Sequence, residues 1–434
     1  MSDSTTRPWP RALAAALAVT IMFSACSDDE AVNSPATDDL VETAQSAGSF
    51  NTLLTALDAA NLTSALQGAG PFTVFAPTDD AFDALPAGVL DGLLADTDAL
   101  AEVLLYHVVQ GELTAADLDG YSSVTTLQGQ EIAVTSGSVV LNGVTVSQAD
   151  IMAENGIIHV IGEVLLPPSL DIPATAAANS DFSTLAAAVS AAGLSQALAA
   201  EGPFTIFAPT DAAFEALPAG TLEALLADPD ALSEILLYHA VAGKIFSRDL
   251  DGVVSTETLA GFPVLFVLSE GARVNDANIV ATNVLATNGV IHVIDKVLLP
   301  PTKDIVETAV DAGFSTLATA LGAANLVGTL QGDGPFTVFA PTDDAFAALP
   351  EGALDGLLAN IPELTEVLLY HVVGGQVFAG DLMGVTTSPT LLEGKSVFFD
   401  LTSGVKVNDA NVITKDIIAT NGVIHVIDSV LLPN

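Results

Sequence analysis

The six histidines are the residues best suited to chemistry, and all of them fall within two phrases that the chain repeats. The phrase Leu-Leu-Tyr-His supplies His107, His239 and His371, and the phrase Ile-His-Val-Ile supplies His159, His292 and His425. An imidazole can ligate a metal or transfer a proton near neutral pH. However, no second ligand lies at short spacing from any of them, and a histidine within an apolar run is more often a hydrogen-bonded core residue. We therefore expect structural histidines and no metal site.

Neither a nucleophile nor a phosphate site is indicated by the sequence. The only cysteine is Cys26, and no Gly-x-Ser-x-Gly elbow occurs. Asp79, Asp211 and Asp343 recur at one position, but an acid in the first turn of a helix is usually a partner of the helix dipole. The glycines before Pro71 cannot cradle a phosphate, because proline lacks the N–H that such a loop needs. We expect no catalytic residue and no cofactor.

The chain contains three copies of one domain. The phrase Gly-Pro-Phe-Thr-(Val/Ile)-Phe-Ala-Pro-Thr-Asp begins at Gly70, Gly202 and Gly334, a spacing of 132 residues each time (202 − 70 and 334 − 202). A unit of this length can bury a core of its own. The short joints between units contain proline pairs, which favour a semi-rigid string of domains. The predicted domain boundaries are 38–168, 169–301 and 302–434.

Within each copy the apolar pattern changes from helical spacing to strand spacing. Leu53 and Leu57 lie one helical turn apart, and Thr78 is a natural N-cap for the helix that follows the repeated phrase. The same N-cap recurs at Thr210 and Thr342. From Ser122 onward, short segments rich in Val, Ile and Thr alternate with polar residues, which indicates mostly antiparallel strands. Each copy is therefore predicted to be an α+β domain.

The charge of the chain is strongly negative. It has 10 Lys and Arg against 53 Asp and Glu, a formal net charge of −43, with no Lys or Arg from Ala12 through Gly243. Such a surface repels nucleic acid and anionic lipid headgroups, so we exclude nucleic-acid binding. The acidity is typical of adaptation to high salt, while cation capture is the alternative. No Asp-x-Asp-x-Asp-Gly loop occurs, which favours diffuse charge over a defined calcium site.

The first 26 residues read as an export signal. Arg7 and Arg11 precede the apolar stretch Ala12–Phe23, which is too short to span a bilayer permanently. The small residues before Cys26 resemble the lipobox of bacterial lipoproteins, in which this cysteine is acylated. An ordinary signal peptide is the alternative. The resemblance implies an exported protein, anchored by lipid to the bacterial cell envelope, with 27–37 as a flexible acidic tether.

Three repeated phrases resemble the motifs of fasciclin (FAS1) domains. Phe-Thr-Val-Phe-Ala-Pro-Thr-Asp and Asn-Gly-Val-Ile-His-Val-Ile are similar to the two signature boxes of that family, and Leu-Leu-Tyr-His to its Tyr-His motif. The match covers essentially everything after the tether, in all three copies. It implies a compact α+β fold, a β-wedge of about seven strands flanked by helices. It also implies extracellular binding or adhesion and no enzymatic activity.

The resemblance also implies candidate partner-binding residues. In adhesive animal members an Asp-Ile pair before the second histidine box, and the region around Tyr-His, contribute to integrin recognition. The corresponding residues here are Asp150-Ile151, Asp416-Ile417, Tyr106-His107 and Tyr370-His371. Repeat 2 departs, with Asn283-Val284, so we expect it to be the weakest binder. The alternatives are a solvated acid in a loop for Asp150 and Asp416, and for the tyrosines a half-buried ring with a satisfied hydroxyl.

Three functions remain open at the level of the sequence. The leading hypothesis is an adhesion or matrix-interaction protein that contacts a surface protein or polysaccharide through three modules and the membrane only through its lipid. The alternative is a structural spacer or envelope scaffold without a specific ligand. An enzyme acting on polysaccharide would need paired acids whose protonation differs, and nothing in the sequence pairs them.

Overall fold

The chain folds into three seven-stranded sheets, one in each repeat, flanked by helices. The computed structural model describes residues 38–135, 137, 139–268 and 271–433. The predicted signal, Cys26 and the tether lie outside the described residues. We call the three units modules 1, 2 and 3. The prediction of three tandem α+β domains is confirmed, while the boundaries given above stay a prediction. No helix in the described ranges is both long and apolar enough to cross a membrane.

Module 1 begins with short helices and ends with strands. Its helices are α1 (Leu40–Ala47), α2 (Asn51–Ala59), α3 (Thr63–Leu66), α4 (Asp79–Asp83), α5 (Val89–Ala95), α6 (Thr97–Tyr106) and α7 (Ala115–Leu118). Its strands are β1 (Phe72–Pro77), β2 (Val108–Gln110), β3 (Ser123–Thr125), β4 (Glu131–Thr135), β5 (Val140–Leu141), β6 (Val144–Ala153) and β7 (Gly156–Ile161).

Modules 2 and 3 repeat this order, with turns in place of α7. The helices of module 2 are α8 (Ile172–Ala178), α9 (Ser183–Ala191), α10 (Ser195–Leu198), α11 (Asp211–Glu215), α12 (Thr221–Ala227) and α13 (Pro229–Tyr238). Its strands are β8 (Phe204–Pro209), β9 (Ala240–Ala242), β10 (Ser255–Glu257), β11 (Pro263–Val267), β12 (Arg273–Val274), β13 (Ala277–Ala286) and β14 (Gly289–Ile294). The helices of module 3 are α14 (Ile305–Asp311), α15 (Ser315–Ala323), α16 (Val327–Leu330), α17 (Asp343–Ala347), α18 (Ala353–Ala359) and α19 (Ile361–Tyr370). Its strands are β15 (Phe336–Pro341), β16 (Val372–Gly374), β17 (Thr387–Pro389), β18 (Ser396–Asp400), β19 (Lys406–Val407), β20 (Ala410–Ala419) and β21 (Gly422–Ile427).

The first and last strands of each module are neighbours in the sheet. In module 1 the strand order is β2-β1-β7-β6-β5-β4-β3, and the other modules have the same arrangement. Strand β1 pairs in parallel with β7, with Phe72 opposite Gly156, and the other pairings are antiparallel. All six residues of β7 are buried, as expected for a strand covered on both faces.

Each module has two hydrophobic clusters, one on each side of its central strands. In module 1 the cluster on the helical side includes Phe50, Phe82 and Ile158. The cluster on the side of the outer strands includes Phe75 and Tyr106. Because β1 and β7 contribute to both clusters, these two strands carry the residues through which the helices and the outer strands are held together.

Successive modules contact each other through named side chains. At the junction between modules 1 and 2, the Lys244 ammonium lies 2.7 Å from the Glu131 carboxylate. Phe246 of module 2 packs with Ala133 of module 1. We call the surface that a module presents to the following module its rear face and the surface that it presents to the preceding module its front face. The same names are used for the equivalent surfaces at the two ends, the front face of module 1 and the rear face of module 3. The short joints are thus supported by side-chain contacts.

Candidate functional site

The tyrosine of the Tyr-His motif is a buried, hydrogen-bonded core residue. Tyr106 ends α6 and is 0% exposed, so the expectation of a half-buried ring is wrong. Its hydroxyl donates to the Glu131 carbonyl at 2.8 Å and accepts from the Asn142 amide at 2.8 Å. Burial raises the pKa of Tyr106 to about 12. Tyr238 and Tyr370 make the same two contacts in their own modules.

The histidine of the same motif holds the end of its module. The His107 Nδ1–H donates to the Val103 carbonyl at 2.7 Å, and Nε2 accepts from the Leu165 N–H at 3.0 Å. Both ring nitrogens are thus used, which fixes one neutral tautomer. Burial lowers the pKa of His107 to about 4, and the same holds for His239 and His371. Leu165 directly precedes the joint, so this histidine anchors the chain as it leaves the module.

The second histidine box is also internal. His159 lies in β7 and stacks on Phe75, with ring centroids 5.8 Å apart. Its Nε2 lies 2.8 Å from the Leu113 carbonyl, and the Asp150 N–H lies 3.4 Å from its Nδ1. Burial lowers the pKa of this imidazole. His292 and His425 make the corresponding contacts through Nε2.

The Asp-Ile pair lies inside a strand and not in a loop, so the loop assignment for Asp150 and Asp416 is wrong. Asp150 belongs to β6, where the pairing with β7 shifts register between Gln148 and Ile151, and its φ is 59°. Its carboxylate accepts from the Ala115 N–H at 2.8 Å and so supports the start of α7. The left-handed conformation is tolerated best by Asp, Asn and Gly, and it turns this side chain out of the sheet.

The same bulge occurs in modules 2 and 3. The Asn283 side chain accepts from the Ser247 N–H at 2.8 Å, and the Asp416 carboxylate accepts from the Ala379 N–H at 2.7 Å. Asn283 and Asp416 have φ values of 57° and 63°. Because asparagine makes the same backbone contact as aspartate, the contact does not depend on the negative charge.

The two predicted contact pairs differ in accessibility. Asp150 is exposed on the front face of module 1. The side chain of Asp416 is only 19% exposed and lines a cavity of about 700 Å³ between modules 2 and 3. Ile151 and Ile417 are half-buried against the helical clusters of their modules. Of the surface candidates, Asp150 alone offers an open carboxylate.

The remaining predicted contact residues lie in the interior. Tyr106, His107, Tyr370 and His371 are all buried. These side chains therefore cannot reach a partner themselves, and they act on the surface only through the segments that they hold.

Asp79, the acid in the first turn of α4, has a hydrogen-bond partner that the sequence pattern did not indicate. Thr78 caps α4 through its own hydroxyl, which accepts from the Ala81 N–H at 3.3 Å. Asp79 instead accepts from the Thr52 N–H at 2.7 Å and the Asn51 amide at 2.9 Å, and so caps the start of α2. Asp211 and Asp343 do the same for α9 and α15, and Thr210 and Thr342 cap α11 and α17.

A repeated asparagine was also missed, although the phrase Asn-Gly recurs before each final strand. The Asn155 side chain donates to the Leu66 and Gly68 carbonyls at 2.7 and 2.8 Å and accepts from the Leu40 N–H at 2.9 Å. It therefore joins α1, the end of α3 and the β6–β7 turn. Asn288 and Asn421 make the same three contacts.

The described residues contain no group of three or more His, Cys, Asp or Glu side chains that could hold a metal ion. Module 2 has an apolar cavity of about 450 Å³ between α8, α9 and β8, whereas the corresponding cavity of module 1 is about 20 Å³. Ala186 and Val189 stand there in place of Leu54 and Leu57, which accounts for part of the difference. The arrangement as a whole offers surfaces for binding and buried polar groups that are structural.

Known proteins resemble the chain along most of its length. It is 33% identical over 390 residues to transforming growth factor-beta-induced protein ig-h3 of Sus scrofa, which covers 88% of this chain and 56% of that protein. It is 32% identical over 377 residues to periostin of Homo sapiens, covering 85% of this chain and 44% of that protein. The chain thus spans about half the length of these curated relatives.

Two further likenesses concern smaller units. A single repeat is 54% identical over 130 residues to the uncharacterized protein sll1735 of Synechocystis, covering 30% of this chain and 97% of that protein. Among solved structures, a FAS1 domain pair from the insect cell adhesion molecule Fasciclin I matches with a TM-score of 0.28 and 20% identity, over 57% of this chain and 92% of that chain.

The Fasciclin domain family matches the chain three times, at residues 48–167, 180–300 and 312–433. These ranges contain the three seven-stranded sheets described above. The chain therefore belongs to the Fasciclin domain family and carries three tandem copies of that domain.

Proposed function

We propose that this chain is an exported binding protein that attaches to a surface protein or polysaccharide outside the cell. The single observation that carries the proposal is the open carboxylate of Asp150, held outward by a backbone bulge on the front face of module 1. The Asp-Ile pair of adhesive fasciclin domains corresponds to this position. The N-terminal signal and Cys26 would place the protein on the cell envelope through a lipid.

The site suits recognition better than catalysis. The histidines and tyrosines of the repeated motifs are buried and have hydrogen-bond partners that hold the fold. Among the residues that the structure describes, Asp150 has a single backbone donor to its carboxylate and no acid partner that would divide the roles of acid and base. We therefore propose a binding role and no enzymatic one.

The test is retention of bacterial cells, and separately of their extracellular polysaccharide, on beads that carry the three-module chain. Asp150→Asn should lower retention several-fold, because it removes the charge and keeps the acceptor for Ala115. Asn283 shows that asparagine makes this contact in the same bulge. Asp416→Asn is the matched control and should leave retention unchanged, because that side chain is largely covered.

Each outcome bears on the proposal. Retention that is insensitive to Asp150→Asn would keep adhesion and discard this site. The absence of retention at both low and high salt would discard adhesion.

A spacer of set length is the second candidate. It is favoured by the contacts that brace the joint between modules 1 and 2. If the chain is a spacer, unrelated domains of equal length should replace the modules without loss of function in the cell. If it is an adhesin, that replacement should abolish attachment.

A further inference from the structure

Both internal junctions join the same two faces. Equivalent positions in the three modules can be found from the contact of the buried tyrosine. Its hydroxyl donates to the carbonyl of Glu131 in module 1, Pro263 in module 2 and Ser396 in module 3, so these three residues are equivalent. These residues begin β4, β11 and β18, the strands on the rear face. The rear faces of modules 1 and 2 are covered by the following module, and no module among the described residues follows module 3.

The first junction shows what a rear face receives. Phe246 from module 2 packs against Ala133, which is only 1% exposed. Lys244 pairs with Glu131 at 2.7 Å. Arg248 approaches Asp119 at 3.8 Å. The junction therefore combines one aromatic anchor with two ion pairs.

The second junction brings together the same positions of two successive modules as the first, but with different side chains. Phe378 takes the place of Phe246 and is buried. Gly380 takes the place of Arg248 and lies so close to module 2 that a Cβ there would be 2.6 Å from the Val254 side chain. Leu285 and Ile418, at one position of their front faces, also lie at the junctions of their modules.

The rear face of module 3 is open and apolar. Phe398, at the position of Ala133, is 61% exposed. Met383, at the position of Asp119, is 76% exposed and also lines the cavity between modules 2 and 3. Val385 is also exposed, and the Phe399 N–H donates to the Thr386 carbonyl, which brings the segment of Val385 next to that of Phe398. A cluster of large exposed apolar side chains marks a surface that another molecule covers.

The front face of module 1 differs from the front faces of modules 2 and 3 in the residues at the junction positions. Thr114 stands at the position of Phe246, Ala116 at the position of Arg248, and Glu112 at the position of Lys244. Met152 corresponds to Leu285 and is 48% exposed, whereas Leu285 packs at the junction.

The two open faces are complementary in size, and the compared positions bring no two like charges together. In the first junction a small Ala133 receives a large Phe246, and at the open ends a large Phe398 would meet a small Thr114. The Asp119–Arg248 ion pair is replaced by the apolar pair of Met383 and Ala116. Glu112 would lie opposite the neutral Ser396. Glu131, which stands at the equivalent position of module 1, would have repelled it. All three contacts change on both faces together.

We propose that the rear face of module 3 binds the front face of module 1 of a second copy of this chain, so that self-association and attachment through Asp150 compete for that front face. Because the contact joins two different faces, one from each copy, it is heterologous and builds linear assemblies. The joints within a chain add an effective concentration on the order of millimolar, which two separate copies lack. The association is therefore weaker than the internal junctions and depends on concentration.

The acidity of the chain gives this association a distinctive salt dependence. Two copies of formal charge −43 repel each other, and salt screens that repulsion. The contact itself is mainly apolar and loses little in salt. Association should therefore strengthen as ionic strength rises, which is the opposite of contacts held by ion pairs.

The test is sedimentation velocity of the three-module chain from about 1 µM to about 1 mM, at low and high salt. The average mass should rise with concentration and with salt and should pass beyond two chains. Phe398→Ser should weaken association about tenfold or more, the effect of removing one buried aromatic side chain. Ile413→Ser is the matched control, because Ile413 is exposed in module 3 and its counterpart Val280 stays exposed in module 2, where both faces are covered.

A charge exchange tests the register of the contact. Ser396→Glu should abolish association by placing an acid opposite Glu112, and module 1 shows that a glutamate is accommodated there. Adding Glu112→Lys should restore association, since it recreates the Glu131–Lys244 pair. A monomer under all conditions would overturn the proposal, as would association that ignores Phe398→Ser. A mass that stops at two chains, without rescue by Glu112→Lys, would mean that two rear faces meet.

Discussion

At the scale of single residues, the buried histidine of each Tyr-His motif makes the protein sensitive to acid. The folded pKa of His107 is about 4 and the ordinary value is 6.5, because burial disfavours the charged ring. A depressed pKa means that the unfolded chain binds the proton first. The stability that depends on neutral His107 is therefore complete above pH 6.5 and is lost as the pH falls towards 4.

We expect the free energy of unfolding to fall between pH 6.5 and 4 by about 3 kcal/mol per module from this group. Urea unfolding across that range, followed by circular dichroism, measures the loss. His107→Gln removes one of three such groups, so the pH dependence should become shallower while the stability at pH 7 also drops. An unchanged pH profile would mean that His107 titrates normally in the folded state.

A second prediction for a single residue concerns Asp79, the acid that ends the repeated phrase. Asp79→Ala should cost about 1 kcal/mol of stability, the usual effect of losing an N-cap, because the Thr52 N–H at the start of α2 loses its acceptor. Asp80→Ala is the control, since Asp80 is an exposed acid of the same turn. The comparison uses urea midpoints at pH 7. Equal effects of the two changes would assign Asp79 to the helix dipole alone.

At the scale of elements, the asparagine before each last strand joins three segments. Asn421 is buried and makes three hydrogen bonds to backbone groups. Asn421→Ala should lower the stability of module 3 by about 1–3 kcal/mol, because one N–H and two carbonyls lose partners in the interior. Hydrogen exchange of the α14 and α16 amides should rise. Asn411→Ala, at an exposed strand position, is the control and should leave those amides protected.

Local elements could be predicted from the sequence, and their distant partners could not. The Thr78 cap and the apolar run of β1 follow from short patterns, as does the change from helices to strands. The parallel pairing of β1 with β7 leaves no local periodicity, because its residues lie in separate halves of the module. The sequence predicts that Asp150 lies in a loop next to a strand, but a register shift keeps it within β6. Asp79 was predicted to serve its own helix, and its main partner precedes it in the chain.

At the scale of the whole molecule, the junctions set how the modules move. Phe246→Ser removes the aromatic anchor of the first junction, and burying such a side chain contributes about 1.5–3 kcal/mol. We expect the radius of gyration from small-angle X-ray scattering to increase and the joint before Leu170 to be cleaved faster by protease. Val280→Ser changes an exposed residue of the same module and should do neither. Unchanged scattering would mean that the ion pairs alone hold the junction.

The adjacency of the first and last strands has a consequence for how the protein is made. Synthesis delivers β1 early in each module, and its parallel partner β7 arrives last. Until then the helical half lacks Ile158 and its neighbours, and the two clusters cannot form around the central strands. We therefore expect a nascent module to stay open until its final strand is available. A chain cut before that strand loses the whole module, whereas a cut at a joint leaves complete modules behind.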